Sequence, residues 1–377
     1  MHLKSLTIEN FRKFGSKDNT IEFVQSNFNN CKNISLSTTL IVGKNNAGKT
    51  TVVDAFRQII ENPKLTGNNF NYKYLKELLL KYKSDKNYNV TPHLSFTIVF
   101  GLEQETSNPE YIQNFADFIN IQKCSQGCND IKISIFYKIQ EEQIFFDDVR
   151  KIITKHNVLD DDNSLFRKFI KLIDKTKFKI LYYDEDGQPR GMSNFKLREI
   201  IELKYISAKR KHSEDNLSNV FNKIVKFRYG LDSTQLDTLE EKMSEINSNI
   251  TRHVGETHQD SVNHVLSQIV SKEKLGVSLR SDLTFESLLS SLIRYEFSEV
   301  GEFIPENQFG LGYASLMTIL GELIEYVERY SDENIQNKIN LIFIEEPETY
   351  MHPQMQELFI KCIEKAISAL LLKSGKN

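Results

Sequence analysis

Two short segments constrain this chain more than anything else in it, and they stand far apart. Residues 43–50 read Gly-Lys-Asn-Asn-Ala-Gly-Lys-Thr and match G-x-x-x-x-G-K-[ST] in full. Residues 341–346 read Leu-Ile-Phe-Ile-Glu-Glu, four apolar residues ending in two carboxylates. The distance from Thr50 to Glu345 is 295 residues. Each segment works chemically only when a buried strand delivers it beside the other. The fold must therefore bring the two ends of the chain together around whatever lies between them.

The loop explains itself residue by residue. Its glycines let the backbone curl so that successive N–H groups point at phosphate oxygens. A helix N-terminus behind it adds partial positive charge. Lys49 places a point charge on the terminal phosphates, and Thr50 offers a hydroxyl to Mg²⁺. The candidate phosphate contacts are Gly43, Asn45, Asn46, Ala47, Gly48, Lys49, Thr50 and Thr51. The local context fits. The run Thr39-Leu40-Ile41-Val42 predicts a buried strand before the loop, and Val53, Phe56 and Ile60 at helical spacing predict a helix after it. A glycine-rich turn with a chance lysine would lack that frame. At the far segment, Glu345 is the candidate Mg²⁺ ligand and Glu346 the candidate base that orients and deprotonates an attacking water. Two acids after a strand are common, so this pair takes its meaning from the loop.

Between the two segments the pattern changes. Near the start, Leu6 and Ile8 alternate with polar neighbours, followed by Ile21 and Phe23. Leu94, Phe96, Ile98 and Phe100 alternate over one predicted strand; Ile131, Ile133, Ile135 and Tyr137 alternate over another. Residues 178–183 lead into Asp186-Gly187, a hairpin signal. These strands are half-buried by pattern and expected to be antiparallel. Helical stretches are predicted around 72–86 and 145–172, and a polar, proline-poor helical region over 212–299. Leu316, Ile319, Leu320, Leu323, Ile324 and Val327 form one helix face. Pro353 sits where a first helical turn accepts proline, ahead of Met355, Leu358, Phe359, Cys362, Ile363 and Ala366. The fold class is α/β. The expected organisation is an N-terminal head segment over residues 1–61, a β-rich lobe with helices over 62–211, a helical insertion over 212–300 that could serve dimerisation, and a C-terminal head segment over 301–377.

Composition sets the remaining bounds. Hydrophobic residues make up 40 % and charged residues 26 % of the 377, enough for a real core in a globular chain. The net charge of -3 gives no global signal for nucleic acid, so any such contact needs a local patch. Four cysteines, Cys31, Cys124, Cys128 and Cys362, are too few for a disulfide framework. Cys124 and Cys128 could form half a metal site, but no second Cys/His pair follows at zinc spacing, which favours free thiols in a loop. No secretory signal opens the chain and no apolar run reaches the ~18 residues a membrane span needs, so a reduced cytoplasmic compartment is expected.

Several runs resemble a known group of ATPases. Residues 6–14, Leu-Thr-Ile-Glu-Asn-Phe-Arg-Lys-Phe, resemble the opening of RecF-like and structural-maintenance-of-chromosomes-like heads. Residues 345–354, Glu-Glu-Pro-Glu-Thr-Tyr-Met-His-Pro-Gln, closely resemble the corresponding run of OLD-family endonucleases and of the ATPase half of the Gabija defence nuclease. Residues 205–210, Tyr-Ile-Ser-Ala-Lys-Arg, resemble a strand and loop of the same group. The wide separation of loop and carboxylates also suits ABC-type heads, which interrupt their core with an arm, a coiled coil or an inserted domain.

The resemblance implies a P-loop ABC/SMC-type head with an antiparallel β lobe and an inserted helical subdomain. It implies ATP and Mg²⁺ as cofactors and ATP hydrolysis as the activity. Residues 310–315, Gly-Leu-Gly-Tyr-Ala-Ser, would be the signature loop, with Gly310 and Gly312 reaching the γ-phosphate of a partner head; the plainer alternative is a glycine-containing start to the following helix. His352 would face the dimer interface and take part in catalysis, or simply lead into its helix. Arg12 would reach the nucleotide, or lie on the surface after an edge strand. Implied partners are a second head, a higher oligomer, DNA, and a nuclease or effector, with no membrane. Such heads continue into a further strand with a sensing histidine, and OLD-type proteins into a TOPRIM nuclease; this chain is expected to lack both, so nuclease chemistry is not expected from it alone. ATP state would then gate DNA engagement or an associated nuclease in phage defence or DNA repair. The competing readings are a nucleotide-binding scaffold with weak turnover and an N-terminal piece of an ATP-controlled endonuclease. Lysines interleaved with tyrosines over 72–88 could track a phosphate backbone, although an amphipathic helix with solvated lysines is the simpler account. Lys209, Arg210 and Lys211 form a second small basic cluster.

Overall fold

The computed structural model describes residues 2–17, 19–24, 38–101, 115, 118, 130–155, 162–190, 195–207, 222, 225, 233–255, 259–269, 278, 280–284, 287–288, 296–299, 302–305, 310–329 and 338–373. These fall into two compact units. The first takes Met1–Ile206 and Asp332–Glu345; the second takes Ser207–Ser331 and Glu346–Lys376.

The first unit is built on alternation. β1 (His2–Glu9), β2 (Thr20–Glu22), β3 (Leu94–Gly101), β4 (Asp130–Ile139), β5 (Phe178–Tyr183) and β6 (Pro189–Arg190) form one antiparallel sheet in the order β2-β1-β3-β4-β5-β6. Leu6 and Ile8 of β1, Leu94, Phe96, Ile98 and Phe100 of β3, and Ile133 and Ile139 of β4 are all fully buried. Each such side chain contributes roughly 1.5–3 kcal/mol relative to exposure. The half-buried alternation predicted for these strands is present, and so is the β5–β6 hairpin, with Gly187 at φ 74° in its turn. β1, from the segment 1–61, pairs with β3, from the segment 62–211, along its whole length, and both carry an apolar face on the same period.

The core face of that sheet is covered by helices. α1 (Lys49–Glu61) buries Val52, Val53, Ala55, Phe56, Ile59 and Ile60. α2 (Tyr72–Ser84) buries Leu75, Leu78, Leu79 and Tyr82, and is capped by Asn71, whose side chain accepts the Tyr74 N–H at 3.1 Å. α3 (Glu142–Thr154) and α4 (Asp162–Lys175) follow β4 where one long helical stretch was expected. A second, parallel pair joins β7 (Ile201–Ile206) to β10 (Ile339–Ile344), with Phe343 opposite Tyr205 and Ile344 opposite Ile206.

One predicted element is absent. Residues 39–42 form no strand, and Leu40 and Val42 are 68 % and 80 % exposed. An apolar run becomes a buried strand only if a sheet edge accepts it. Among the described residues, β10 and β7 pair only with each other, and only Ile41 of the run packs against the core.

The second unit contains α5 (Ser233–Val254), α6 (Asp260–Ile269), α7 (Leu311–Arg329) and α8 (Pro353–Lys373). Asn247 pins the segment beside α5 by donating to the Leu283 carbonyl at 2.9 Å and accepting the Leu283 N–H at 2.7 Å. The region read as helical over 212–299 is not helical throughout, because Glu296–Glu299 forms strand β8 and pairs with β9 (Glu302–Pro305). Ile319 and Leu323 are fully buried in α7, and Phe359 and Ile363 are buried in α8, but Leu358 is 62 % exposed and outside the face assigned to it. α8 starts at Pro353, as proline at a first helical position predicts. No helix among the described residues is long and apolar enough to cross a membrane.

Candidate nucleotide and metal site

The loop before α1 turns through backbone that few side chains adopt. Gly48 has φ 107° and Asn46 φ 64°; glycine takes such values without a Cβ penalty and asparagine tolerates the left-handed region. The Ala47 N–H donates to the Lys44 carbonyl at 3.1 Å and the Thr51 N–H to the Gly48 carbonyl at 3.0 Å. Lys49 folds back over the loop and donates from Nζ to the Gly43 carbonyl at 2.6 Å. Residues 43–47 are exposed, whereas Gly48 is buried and Thr51 is only 5 % exposed, turned toward the core.

Glu345 reaches this loop because of strand period and register. Along β10 alternate side chains share a face. Leu341 and Phe343 pack against the core, and Phe343 meets Phe56 of α1 at 5.3 Å between ring centroids. Glu345 is the next residue on that face. Its N–H donates to the Ile206 carbonyl at 3.0 Å, which carries the parallel ladder one residue past the strand. The Thr50 hydroxyl then donates to one oxygen of the Glu345 carboxylate, and the Tyr205 hydroxyl donates to the other. The two candidate metal ligands, 295 residues apart, are thus in direct contact. An alcohol and a carboxylate side by side are the hard oxygen donors that Mg²⁺ accepts, so the residues present fit that ion.

A stripe on α1 extends the site. Thr50, Asp54 and Arg57 follow one another at helical spacing. Asp54 accepts a hydrogen bond from Arg12 in an ion pair, with Arg12 more exposed than Asp54. Burial pushes the Asp54 carboxyl above its ordinary value; the Arg12 and Arg57 guanidinium groups oppose this and the Glu345 carboxylate adds to it. The Arg57 guanidinium lies 5.6 Å from the centroid of the Tyr205 ring, within cation–π range. Arg12 itself is held by its backbone at φ 47°. Its N–H donates to the Asn69 carbonyl at 2.9 Å, and its carbonyl accepts from the Asn71 side chain at 2.8 Å. Phe11 forms a β-bridge to Phe70 beside it. The residue that caps α2 therefore also anchors Arg12.

In the second unit, Glu346 is exposed, with φ 45°, and its carbonyl accepts the Thr349 N–H at 3.1 Å. Gly310 precedes the first turn of α7, and its carbonyl accepts the Ala314 N–H at 3.2 Å. A Cβ on Gly310 would meet nothing within 4 Å, but one on Gly312 would come within 2.7 Å of the Tyr350 carbonyl oxygen. The glycine run and the run after Glu346 are thus in backbone contact. His352 is exposed before Pro353, and its carbonyl accepts N–H groups of Met355 and Gln356 at 2.8 and 3.0 Å. It stands in the position that leads into a helix.

The basic, tyrosine-rich stretch takes the simpler form. Its apolar face is buried as expected for an amphipathic helix, and its tyrosines already have ring partners: Tyr72 with Phe166, Tyr74 with His93, and Tyr82 with Tyr88. Lys83 pairs with Asp162 at 2.9 Å. Each of those rings packs against a neighbouring ring of the protein, with Tyr82 buried and Tyr72 46 % exposed. Cys31, Cys124, Cys128, Lys209, Arg210 and Lys211 lie outside the described residues. No group of three or more potential metal ligands occurs among the described residues.

Sequence reasoning missed Asp54, Arg57 and Tyr205. Asp54 was findable, four residues after Thr50 on the predicted helix. Tyr205 sat in a quoted run without a role, and its partner is set by strand register, which no local pattern reveals.

Two comparisons bear on these residues. A family model described as an AAA ATPase domain matches residues 1–370. The chain is also 42 % identical, over 395 aligned residues, to a protein of Bacillus cereus (strain HuB5-5) named endonuclease GajA. The alignment covers 100 % of this chain and 56 % of that relative, so the chain spans about half the relative's length.

Proposed function

This chain belongs to the AAA ATPase domain family, and on that premise we propose that it is the ATP-binding and ATP-hydrolysing head of an antiviral defence nuclease assembly. The observation that carries the reading is the contact of the Thr50 hydroxyl with the Glu345 carboxylate beside a complete phosphate-binding loop. The endonuclease activity in the relative's name is attributed, in this proposal, to sequence outside the shared span.

The residues divide the work as follows. Backbone N–H groups of residues 45–49 cradle the phosphates, and Lys49 moves from the Gly43 carbonyl to the terminal phosphates, exchanging a neutral acceptor for charged ones. Thr50 and Glu345 would hold Mg²⁺, which when bound neutralises phosphate charge. Arg12, poised on Asp54, supplies a second cation at the nucleotide. Glu346 accepts the proton of the attacking water; the water oxygen bonds to the γ-phosphorus while the bond to the ADP oxygen breaks and that oxygen keeps the electron pair. Positioning and charge stabilisation carry most of such a reaction, and the tight turn that Gly48 permits serves the positioning.

The finer architecture is that of an ABC/SMC-type head. Two heads pair across the nucleotides, and Gly310 and Gly312 at the start of α7 present a helix N-terminus to the partner's γ-phosphate. His352 lies at the same interface. The helical region around 212–300 acts as the inserted subdomain, and nucleotide state gates DNA engagement by the assembly.

The test uses the purified chain. ATP should be bound and turned over in the presence of Mg²⁺, and Glu346→Gln should retain ATP and form a stable dimer by light scattering. A Glu346→Gln protein that hydrolyses ATP at the wild-type rate would remove the assignment of the base.

A further inference from the structure

We infer that Tyr205 is a positioning residue for the metal-binding carboxylate, fixing Glu345 in the orientation that turns one oxygen to Thr50; the inference rests on the proposed reading of Thr50 and Glu345 as the Mg²⁺ ligands. Three observations converge. The Tyr205 hydroxyl donates to the Glu345 oxygen that Thr50 does not take. Parallel register sets the pairing, since Tyr205 stands opposite Phe343 and the Ile206 carbonyl binds the Glu345 N–H at 3.0 Å. The tyrosine ring is fixed in turn by Arg57, whose guanidinium lies 5.6 Å from its centroid, and Arg57 belongs to the same helix as Thr50. Ring, hydroxyl, carboxylate and threonine thus form one connected set between α1 and the β7–β10 pair.

The chemistry explains why a tyrosine suits the place. Packing against Arg57 asks only for an aromatic face, which phenylalanine also provides. The hydroxyl adds a neutral donor, which satisfies one carboxylate oxygen without bringing a positive charge that would compete with a cation. A free glutamate side chain samples several rotamers, and a ligand held in one of them loses less entropy when it binds. Hydrogen-bond partners of metal-ligating carboxylates act in this way, and losing one typically weakens metal affinity or activity about 10–100-fold.

The experiment measures Mg²⁺ dependence of nucleotide affinity rather than turnover. A fluorescent ATP analogue is titrated into the wild-type chain in EDTA and again across a Mg²⁺ series. Tyr205→Phe should leave affinity in EDTA unchanged while raising the Mg²⁺ concentration needed for half-maximal tightening by about 10-fold. In a Glu345→Gln background, Tyr205→Phe should add no further loss. An unchanged Mg²⁺ dependence overturns the inference, and so does an equal loss with and without Mg²⁺, which would mark a packing defect. Thermal unfolding of Tyr205→Phe at the wild-type temperature excludes misfolding as the cause of the loss. A wild type whose nucleotide affinity ignores Mg²⁺ sinks the metal site and this role together.

Discussion

Two regions of this protein carry the candidate chemistry, and they are assembled in opposite ways. Around Glu345, side chains from four distant stretches meet through their polar ends: Thr50 and Tyr205 on the carboxylate, Arg12 on Asp54, and Arg57 against Tyr205. Around Gly312, the lack of a side chain is what matters, because the backbone of Tyr350 and Met351 occupies the space where a Cβ would stand. The first region is specified by functional groups and tolerates changes of shape. The second is specified by shape and tolerates no added atom. Substitutions in the first should therefore cost activity with little stability, and those in the second stability first.

The largest effects are expected in the first region. Lys49→Ala removes the cation that lies on the loop at 2.6 Å from the Gly43 carbonyl. ATP affinity or turnover should fall about 100-fold or more with an unchanged melting temperature, read by nucleotide titration and calorimetry. Glu346→Gln should lower turnover about 10²- to 10⁴-fold while ATP binding survives, measured under single-turnover conditions. If either variant instead melts early, the contrast between the regions fails.

Gly312→Ala tests the second region. The added Cβ would lie 2.7 Å from the Tyr350 carbonyl oxygen, so stability should drop by about 1–3 kcal/mol in denaturant unfolding. Gly310→Ala meets nothing within 4 Å and should leave the unfolding midpoint near wild type. Equal effects from the two would show that α7 does not pack as described.

The smallest effect sharpens the comparison from inside the first region. Burial raises the Asp54 carboxyl above its ordinary value. A carboxyl raised on folding holds its proton more tightly in the native state, so its contribution favours folding at low pH. That contribution is lost as pH climbs from the ordinary carboxyl range through the raised value. Asp54→Asn should flatten this part of the stability–pH curve, and at neutral pH should change stability by less than about 1 kcal/mol, since Arg12 remains partly exposed. An unaltered curve would mean that Asp54 is not buried as the structure has it.

Much of the fold is legible in local pattern. The alternation of Leu94, Phe96, Ile98 and Phe100 and of Ile131, Ile133, Ile135 and Tyr137 predicts β3 and β4, and Pro353 predicts where α8 starts. These signals survive because the burial of a strand face or a helix turn depends on residues within a few positions of each other. The run 39–42 shows the limit: its composition suits a buried strand, but pairing needs a neighbour, and Leu40 and Val42 stay exposed.

The candidate site divides along the same line. The sequence by itself picked out the loop over residues 43–50, the acidic strand end and the candidate residues Lys49, Thr50, Glu345 and Glu346, because each is written in a contiguous motif whose backbone geometry follows from glycine and from strand period. Only the tertiary structure decided that Arg12 rests on Asp54, that Gly312 yields its space to Tyr350, and that Tyr205 holds Glu345. Those pairings depend on strand register and helix placement. Both are set by the summed packing of a core whose contacts join residues hundreds of positions apart, which no local window of sequence contains.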